Sequence, residues 1–242
     1  MRRPMAEPRR VLVTRPEGQA AELCDALERA GIRAIPLPLI SIEPDEYAGD
    51  HIAWQLLDSY DWILFTSSNG VAHAWPHAPD ALRRHPNIAV VGPATANAVT
   101  TRGGTVRVVA PIHIAESLAD SIGHVAGLRV LWLRGSEARD VLGSVLRARG
   151  ALMDEIVVYH TQPAALPADA AQRVQSADVL SLASPSAARR FVECFGTAAA
   201  RQVVCIGPVT AAVARASGLH VDAIAESYTA SGLLTALAGL HG

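Results

Sequence analysis

The chain contains itself twice, so any fold it adopts has to house two similar halves. Ala89-Val-Val-Gly92-Pro93-Ala94-Thr95-Ala96 returns as Val204-Cys-Ile-Gly207-Pro208-Val209-Thr210-Ala211. Asp61-Trp-Ile-Leu-Phe-Thr-Ser67-Ser68-Asn69 is answered by Asp178-Val-Leu-Ser-Leu-Ala-Ser184-Pro185-Ser186. Val11-Leu-Val-Thr-Arg15-Pro-Glu17 matches Val130-Leu-Trp-Leu-Arg134-Gly-Ser-Glu137, and Ala115-Glu-Ser-Leu118 matches Ala230-Ser-Gly-Leu233. A tandem offset of 115 to 119 residues aligns them all. Repeats of that length are domain-sized, and two lobes with matching loops point to a ligand site that uses both.

Short β-rich runs alternate with amphipathic, helix-length stretches from end to end. Strands are expected at 10–14, 33–36, 62–65, 88–91, 105–109, 129–133, 154–158, 178–182, 203–206 and 220–223. The segment 18–30 puts Ala21, Leu23, Leu27 and Ala30 on one side and stops at Gly31; 138–149 repeats the pattern with Val141, Leu142, Val145 and Leu146 and stops at Gly150. Such βαβα alternation predicts α/β domains with parallel sheets covered by helices on both faces. Pro36-Leu-Pro-Leu-Ile-Ser-Ile-Glu-Pro44 and its partner Ile156-Val-Val-Tyr159-His-Thr-Gln-Pro163 are both extended and both end at proline. Two such segments side by side would make a two-stranded β connector. One domain would then be split, 1–37 with 162–242, around an inserted domain at 44–157, with connectors at 38–43 and 158–161. A plain break near residue 125 is the alternative.

A chain of 242 residues can bury a substantial core, and its apolar runs are too short to cross a membrane. Residues 1–10 are basic with no apolar run behind them, so they read as a floppy extension and not a signal peptide. Three cysteines, Cys24, Cys194 and Cys205, fit no metal spacing and suggest free thiols in a reducing cytoplasm. A net charge of −2 gives no general attraction to nucleic acid.

The Gly-Pro-x-Thr turns carry the strongest chemical signal. Proline suits the first helical position, and Thr95 and Thr210 then lie in the first turn beside unpaired N–H groups that attract carboxylates. Each Thr could equally help cap its own helix. Ser67, Asn69, Ser184 and Ser186 open helices just after strands; capping is their ordinary use, and ligands also bind there in open α/β sheets. Arg15 and Arg134 end matched strands, where a guanidinium could clamp a carboxylate or pair with Glu17 or Glu137. Tyr159, in the second extended segment, could donate a proton or simply pack with its hydroxyl wet. His73 and His77 are four apart, but Pro76 interrupts the helix and no third ligand is evident, so no metal site is expected. No Walker loop, GxGxxG fingerprint or nucleophile elbow is present.

The set Val13-Thr14-Arg15-Pro16, Phe65-Thr66-Ser67, Val91-Gly92-Pro93-Ala94-Thr95-Ala96, Val158-Tyr159, Ser184-Pro185-Ser186 and Ile206-Gly207-Pro208 to Ala211 resembles the uroporphyrinogen-III synthase family in order and spacing, from Val11 to Leu237. The resemblance implies two flavodoxin-like domains joined by a two-stranded ladder, which favours the split partition. It implies an interdomain cleft that needs neither metal nor organic cofactor. There hydroxymethylbilane would be cyclised, with loss of water and inversion of ring D, to uroporphyrinogen III, a precursor of haem and other tetrapyrroles. It casts Tyr159 as the group assisting departure of the hydroxyl, and Thr95, Thr210, Ser67 and Ser184 as substrate-binding groups. Ser186, Asn69, Arg15 and Arg134 are further binding candidates. A cytoplasmic monomer without nucleic-acid or membrane partners is expected. A two-lobed sensor of an anionic tetrapyrrole-like ligand is the competing reading, disfavoured by the absence of any segment through which a sensor would signal.

Overall fold

The computed structural model describes residues 9–227 and 229–240. The elements run β1 (Arg10–Val13), α1 (Glu17–Arg29), β2 (Arg33–Pro36), β3 (Ile40–Pro44), β4 (Trp62–Phe65), α2 (Ser68–Ala74), α3 (Pro79–Arg84), β5 (Ile88–Val90), α4 (Pro93–Thr100), β6 (Val106–Val109) and α5 (Ala115–Ile122). They continue with β7 (Arg129–Gly135), α6 (Val141–Ala148), β8 (Leu152–Pro163), α7 (Ala170–Ser176), β9 (Val179–Leu182), α8 (Pro185–Phe195), β10 (Gln202–Cys205), α9 (Pro208–Ala216), β11 (Ala223–Ile224) and α10 (Ala230–Ala238). The chain forms two compact units: Met1–Ser41 with Gln162–Gly242, and Ile42–Thr161.

In the first unit the sheet order among the described residues is β11-β10-β9-β1-β2, all parallel. Successive residues face opposite layers, as a pleated strand requires. Leu12, Leu180, Leu182, Val203 and Cys205 pack with Phe191 of α8 and Ala211 of α9, while Val11, Val13, Val179 and Val204 pack with Leu23 of α1 and Leu233 of α10. Neither face is left wet, which is why these strands read as continuous apolar runs. On α1 the buried stripe is Ala20, Leu23 and Leu27; of the expected positions Ala21 and Ala30 are exposed, Ala20 taking the place of Ala21 and Ala30 being the C-cap past the last helical residue.

The second unit carries β3-β8-β7-β4-β5-β6. Ile63, Phe65, Leu131, Leu133, Ile156 and Val158 face α2 and α4; Trp62, Leu64, Val130 and Trp132 face α5 and α6. Parallel pairing holds across β8-β7-β4-β5-β6. At the edge, Asp45 N–H donates to Val158 O at 3.2 Å and Ala164 N–H to Leu39 O at 3.0 Å, so β3 and β8 run in opposite directions. Gly31 and Gly150 stop α1 and α6 at φ 74° and 86°, the left-handed conformation that a helix C-terminus asks of glycine.

Three details depart from the expectations. β8 extends over twelve residues instead of the five expected. The segment 48–59 folds into 3₁₀ turns, not anticipated from the sequence. Residues 1–8 of the expected floppy extension lie outside the described residues, but Arg10 begins β1 and Arg9 donates from Nη1 to Leu237 O at 3.0 Å. No helix among the described residues is long and apolar enough to cross a membrane.

Candidate functional site

The chemically richest point of the second unit lies where β7 ends and β8 bulges beside the start of α2. Ser67 sits in extended conformation as the N-cap of α2, and its Oγ accepts the Gly70 N–H at 2.9 Å. That bond fixes the hydroxyl, which also lies 3.0 Å from Tyr159 Oη. A side chain at Gly70 would come 3.1 Å from Leu133 O, so the helix start lies close against β7.

Tyr159 reaches Ser67 through an irregularity in β8. The β7–β8 register pairs Arg134 with Val157 and then Gly135 with Tyr159, so β8 holds one extra residue. In an unbroken ladder Val158 would oppose Gly135, and Tyr159 would face the other layer. The bulge turns Tyr159 to the side of Val158, where its ring packs with the core under α2. The His73 ring lies 5.7 Å from the Tyr159 ring, tilted by 30°. Burial pushes the Tyr159 phenol above its ordinary pKa; the Ser67 hydrogen bond pulls it down and Glu137 adds to the rise. The phenol is therefore a protonated donor at neutral pH. Burial lowers the His73 pKa, against the pull of Glu43 and with the help of His77, so this imidazole is neutral at pH 7.

The Gly-Pro-x-Thr turns have the same form in both units. Pro93 and Pro208 occupy the first helical positions after Gly92 and Gly207, and Thr95 and Thr210 are both buried. The N-cap positions are the glycines themselves, which have no side chain to cap with. The two glycines have φ of −174° and −177°, extended values open to any residue, so a special turn conformation is not what they supply. At Gly92 the need is room: a Cβ would stand 3.2 Å from Cγ of His113.

In the first unit Ser184 caps α8, its Oγ accepting the Ala187 N–H at 3.1 Å, with Ser186 at the second helical position. Thr14 Oγ1 donates to Ser181 O at 2.7 Å and ties the end of β1 to β9. Arg15 follows directly; burial lowers its pKa, and its Nε is buried without a hydrogen-bond partner among the described residues. No ion pair joins it to Glu17 among the described residues. Asn69 stands half-buried in the first turn of α2.

Arg134 differs from the expectation of an open clamp or a Glu137 pair. Its Nη1 bonds Glu155 Oε2 at 2.6 Å, its Nη2 bonds Ala138 O, and its guanidinium lies 4.2 Å from the Trp132 ring centre. Glu155 sits opposite Trp132 on β8, which makes it the diagonal same-face neighbour of Arg134. Gly135 and His113 carry no expectation from the sequence, and His73 is weighed there only as a metal ligand beside His77, not as a neighbour of Tyr159. A lone glycine ending a strand beside an aromatic partner is the one signal that pointed to the first of these. Among the described residues no cluster of metal-ligating side chains occurs.

A family model for uroporphyrinogen-III synthase HemD matches residues 21–235. Among curated relatives, the uroporphyrinogen-III synthase of Chlorobaculum parvum is 30% identical, with 94% of this chain and 97% of that protein covered. The Synechococcus elongatus enzyme is 29% identical, with 94% and 93% covered. A mutant uroporphyrinogen III synthase from Thermus thermophilus superposes with a TM-score of 0.67 at 16% identity, covering 95% of this chain and 97% of that one. The Helicobacter pylori uroporphyrinogen-III synthetase gives 0.66 at 16%, covering 97% and 100%. At that identity the two structures speak for the fold alone, while the family model and the curated relatives speak for descent. The chain belongs to the uroporphyrinogen-III synthase family.

Proposed function

We infer that this protein cyclises hydroxymethylbilane to uroporphyrinogen III, with Tyr159 as the acid that assists loss of the hydroxyl. The observation that carries the role of Tyr159 is a half-buried, protonated phenol held 3.0 Å from a hydroxyl that caps a helix. When Ser67 donates to Tyr159 Oη, the phenol proton is left for the substrate. The C–O bond of the hydroxymethyl group breaks, the oxygen leaves as water with that proton, and an N-protonated azafulvene remains beside a phenolate that regains its proton when the reclosed ring gives one up. The substituted α-carbon of ring D attacks the azafulvene, and the resulting spiro intermediate fragments and recloses with ring D inverted.

Without a protein the azafulvene closes to the type I isomer, so the larger task is to hold a flexible octa-anion in one conformation. The starts of α2, α4, α8 and α9 offer backbone N–H groups for carboxylates, with Ser67, Asn69, Thr95, Ser184, Ser186 and Thr210 beside them. Arg15, with a buried and unpartnered Nε, is the guanidinium best suited to a substrate carboxylate. Arg134 is assigned to holding its own strand. We also read the units as flavodoxin-like domains, 1–37 with 162–242 and 44–157, and β3 with β8 as the ladder at the connectors 38–43 and 158–161. A cytoplasmic setting suits the free thiols of Cys24, Cys194 and Cys205.

The test supplies freshly made hydroxymethylbilane to the full chain and separates the oxidised porphyrin isomers. Type III product well above the spontaneous rate is expected. Type I product alone, at the rate seen without protein, would sink the reading.

A further inference from the structure

We propose that Gly135 is the positioning residue for Tyr159: the absent side chain at the bulge is what lets the phenol reach Ser67. The inference rests on the reading of Tyr159 as the acid. An ideal Cβ on Gly135 would fall 2.7 Å from Tyr159 Oη and 2.8 Å from Cε2, and nearer still to Cζ. The hydroxyl end of the ring thus occupies the space that any other residue would fill. Backbone conformation does not explain this glycine, because it is not among those with positive φ. The requirement is purely steric.

The ring has little freedom to give way while keeping its bond. Ser67 is anchored by the Gly70 N–H, the His73 ring stands on another side, and Ser136 N–H donates to Tyr159 O at 3.0 Å, fixing the backbone beside the bulge. A methyl at 135 would therefore swing the hydroxyl off Ser67 and leave the strand paired. Next to it, the Arg134–Glu155 bond ties β7 to β8 just ahead of the register shift. The first repeat has no tyrosine to place: in its alignment Pro16 stands where Gly135 does and Ile40 where Tyr159 does. Glycine and tyrosine occur together or not at all.

Gly135→Ala, Tyr159→Phe and the double variant are compared in the full chain. Gly135→Ala should lower kcat on the order of 10²-fold with little change in KM, and the double variant should be no slower than Tyr159→Phe. The tyrosinate absorbance assigned to residue 159, wild type minus Tyr159→Phe, should titrate at higher pH when Ala occupies 135, because the Ser67 bond that draws it down is lost. Wild-type kcat together with an unmoved titration would overturn the proposal, as would losses that multiply in the double variant. A moved titration in a protein whose Tyr159→Phe turnover is normal would uphold the placement and discard the acid role of Tyr159. If Gly135→Ala folds poorly, Gly135→Ala with Tyr159→Leu should melt higher than Gly135→Ala alone; no recovery would refute the steric coupling.

Discussion

The two copies of the first βαβ element begin alike and end differently. In one, β1 and β2 pair Arg10 with Arg33 through Val13 with Pro36; in the other, β7 and β8 pair Arg129 with Leu152 through Trp132 with Glu155, each residue 119 positions later. Even the edge bonds agree. Asp178 Oδ2 accepts the Arg10 N–H at 2.9 Å, and Asp61 Oδ2 accepts the Arg129 N–H at 2.8 Å. Beyond that point the copies part. Pro36 and Pro38 interrupt the first copy, which resumes as β3, whereas β8 continues through Leu133–Ile156 and Arg134–Val157 to the bulge at Tyr159. Duplication supplied a scaffold twice, and a longer ladder made the candidate acid in only one copy. Conserved register and divergent strand ends are separable properties of the same repeat.

The sharpest way to test that asymmetry is Tyr159→Phe, which removes the hydroxyl that Ile40 never had. Turnover should fall on the order of 10²-fold or more, with product affinity changed far less. Because burial raises the phenol's pKa, wild-type kcat should hold through neutral pH and fall only above the ordinary tyrosine range of about 10. An alkaline loss at or below that value in wild type, or unchanged turnover in the variant, would break the comparison.

A medium effect is expected from the paired caps. Ser67→Ala and Ser184→Ala should each cost about 1 kcal/mol in chemical unfolding, since each removes an acceptor from a helix N-terminus. Both should raise KM as hydroxyls beside the carboxylate sites, but only Ser67→Ala should also remove a partner of Tyr159 and lower kcat beyond what its stability loss explains. Equal effects on turnover would mean that both serines act as substrate contacts and that the phenol contact adds nothing.

The smallest effect concerns the matched edge aspartates. Hydrogen bonding from the Arg10 guanidinium, opposed by partial burial and helped by the Arg10 backbone N–H, lowers the Asp178 pKa. A depressed carboxyl pKa stabilises the fold above its unfolded value and loses that contribution as pH falls through the folded one. The Arg10–Asp178 pair is about a third exposed, so it contributes up to about 1 kcal/mol. Asp178→Asn should flatten the acid side of the melting-temperature profile by that amount. An unchanged acid limb would show that the pair contributes nothing. At the matched position the Arg129 guanidinium lies over the Tyr60 ring at 4.6 Å and bonds Ser59 instead, so the same main-chain contact carries a different side-chain partner.

Local chemistry read from the sequence survives where it depends on near neighbours. Ser67 and Ser184 cap helices, Pro93 and Pro208 start them, and Gly31 and Gly150 end them, because each effect is settled within a few residues. The alternation of apolar runs also determined two-sided parallel sheets. What the sequence could not state is which residues meet across strands. The Arg134 partner proved to be Glu155 and not nearby Glu137, since a pleated pair brings a diagonal neighbour closer than the chain does. The reach of Tyr159 to Ser67 depends on one extra residue in β8 and an empty site at Gly135. A period-two pattern carries no mark of a single inserted residue, so only the tertiary pairing decided which way that phenol faces.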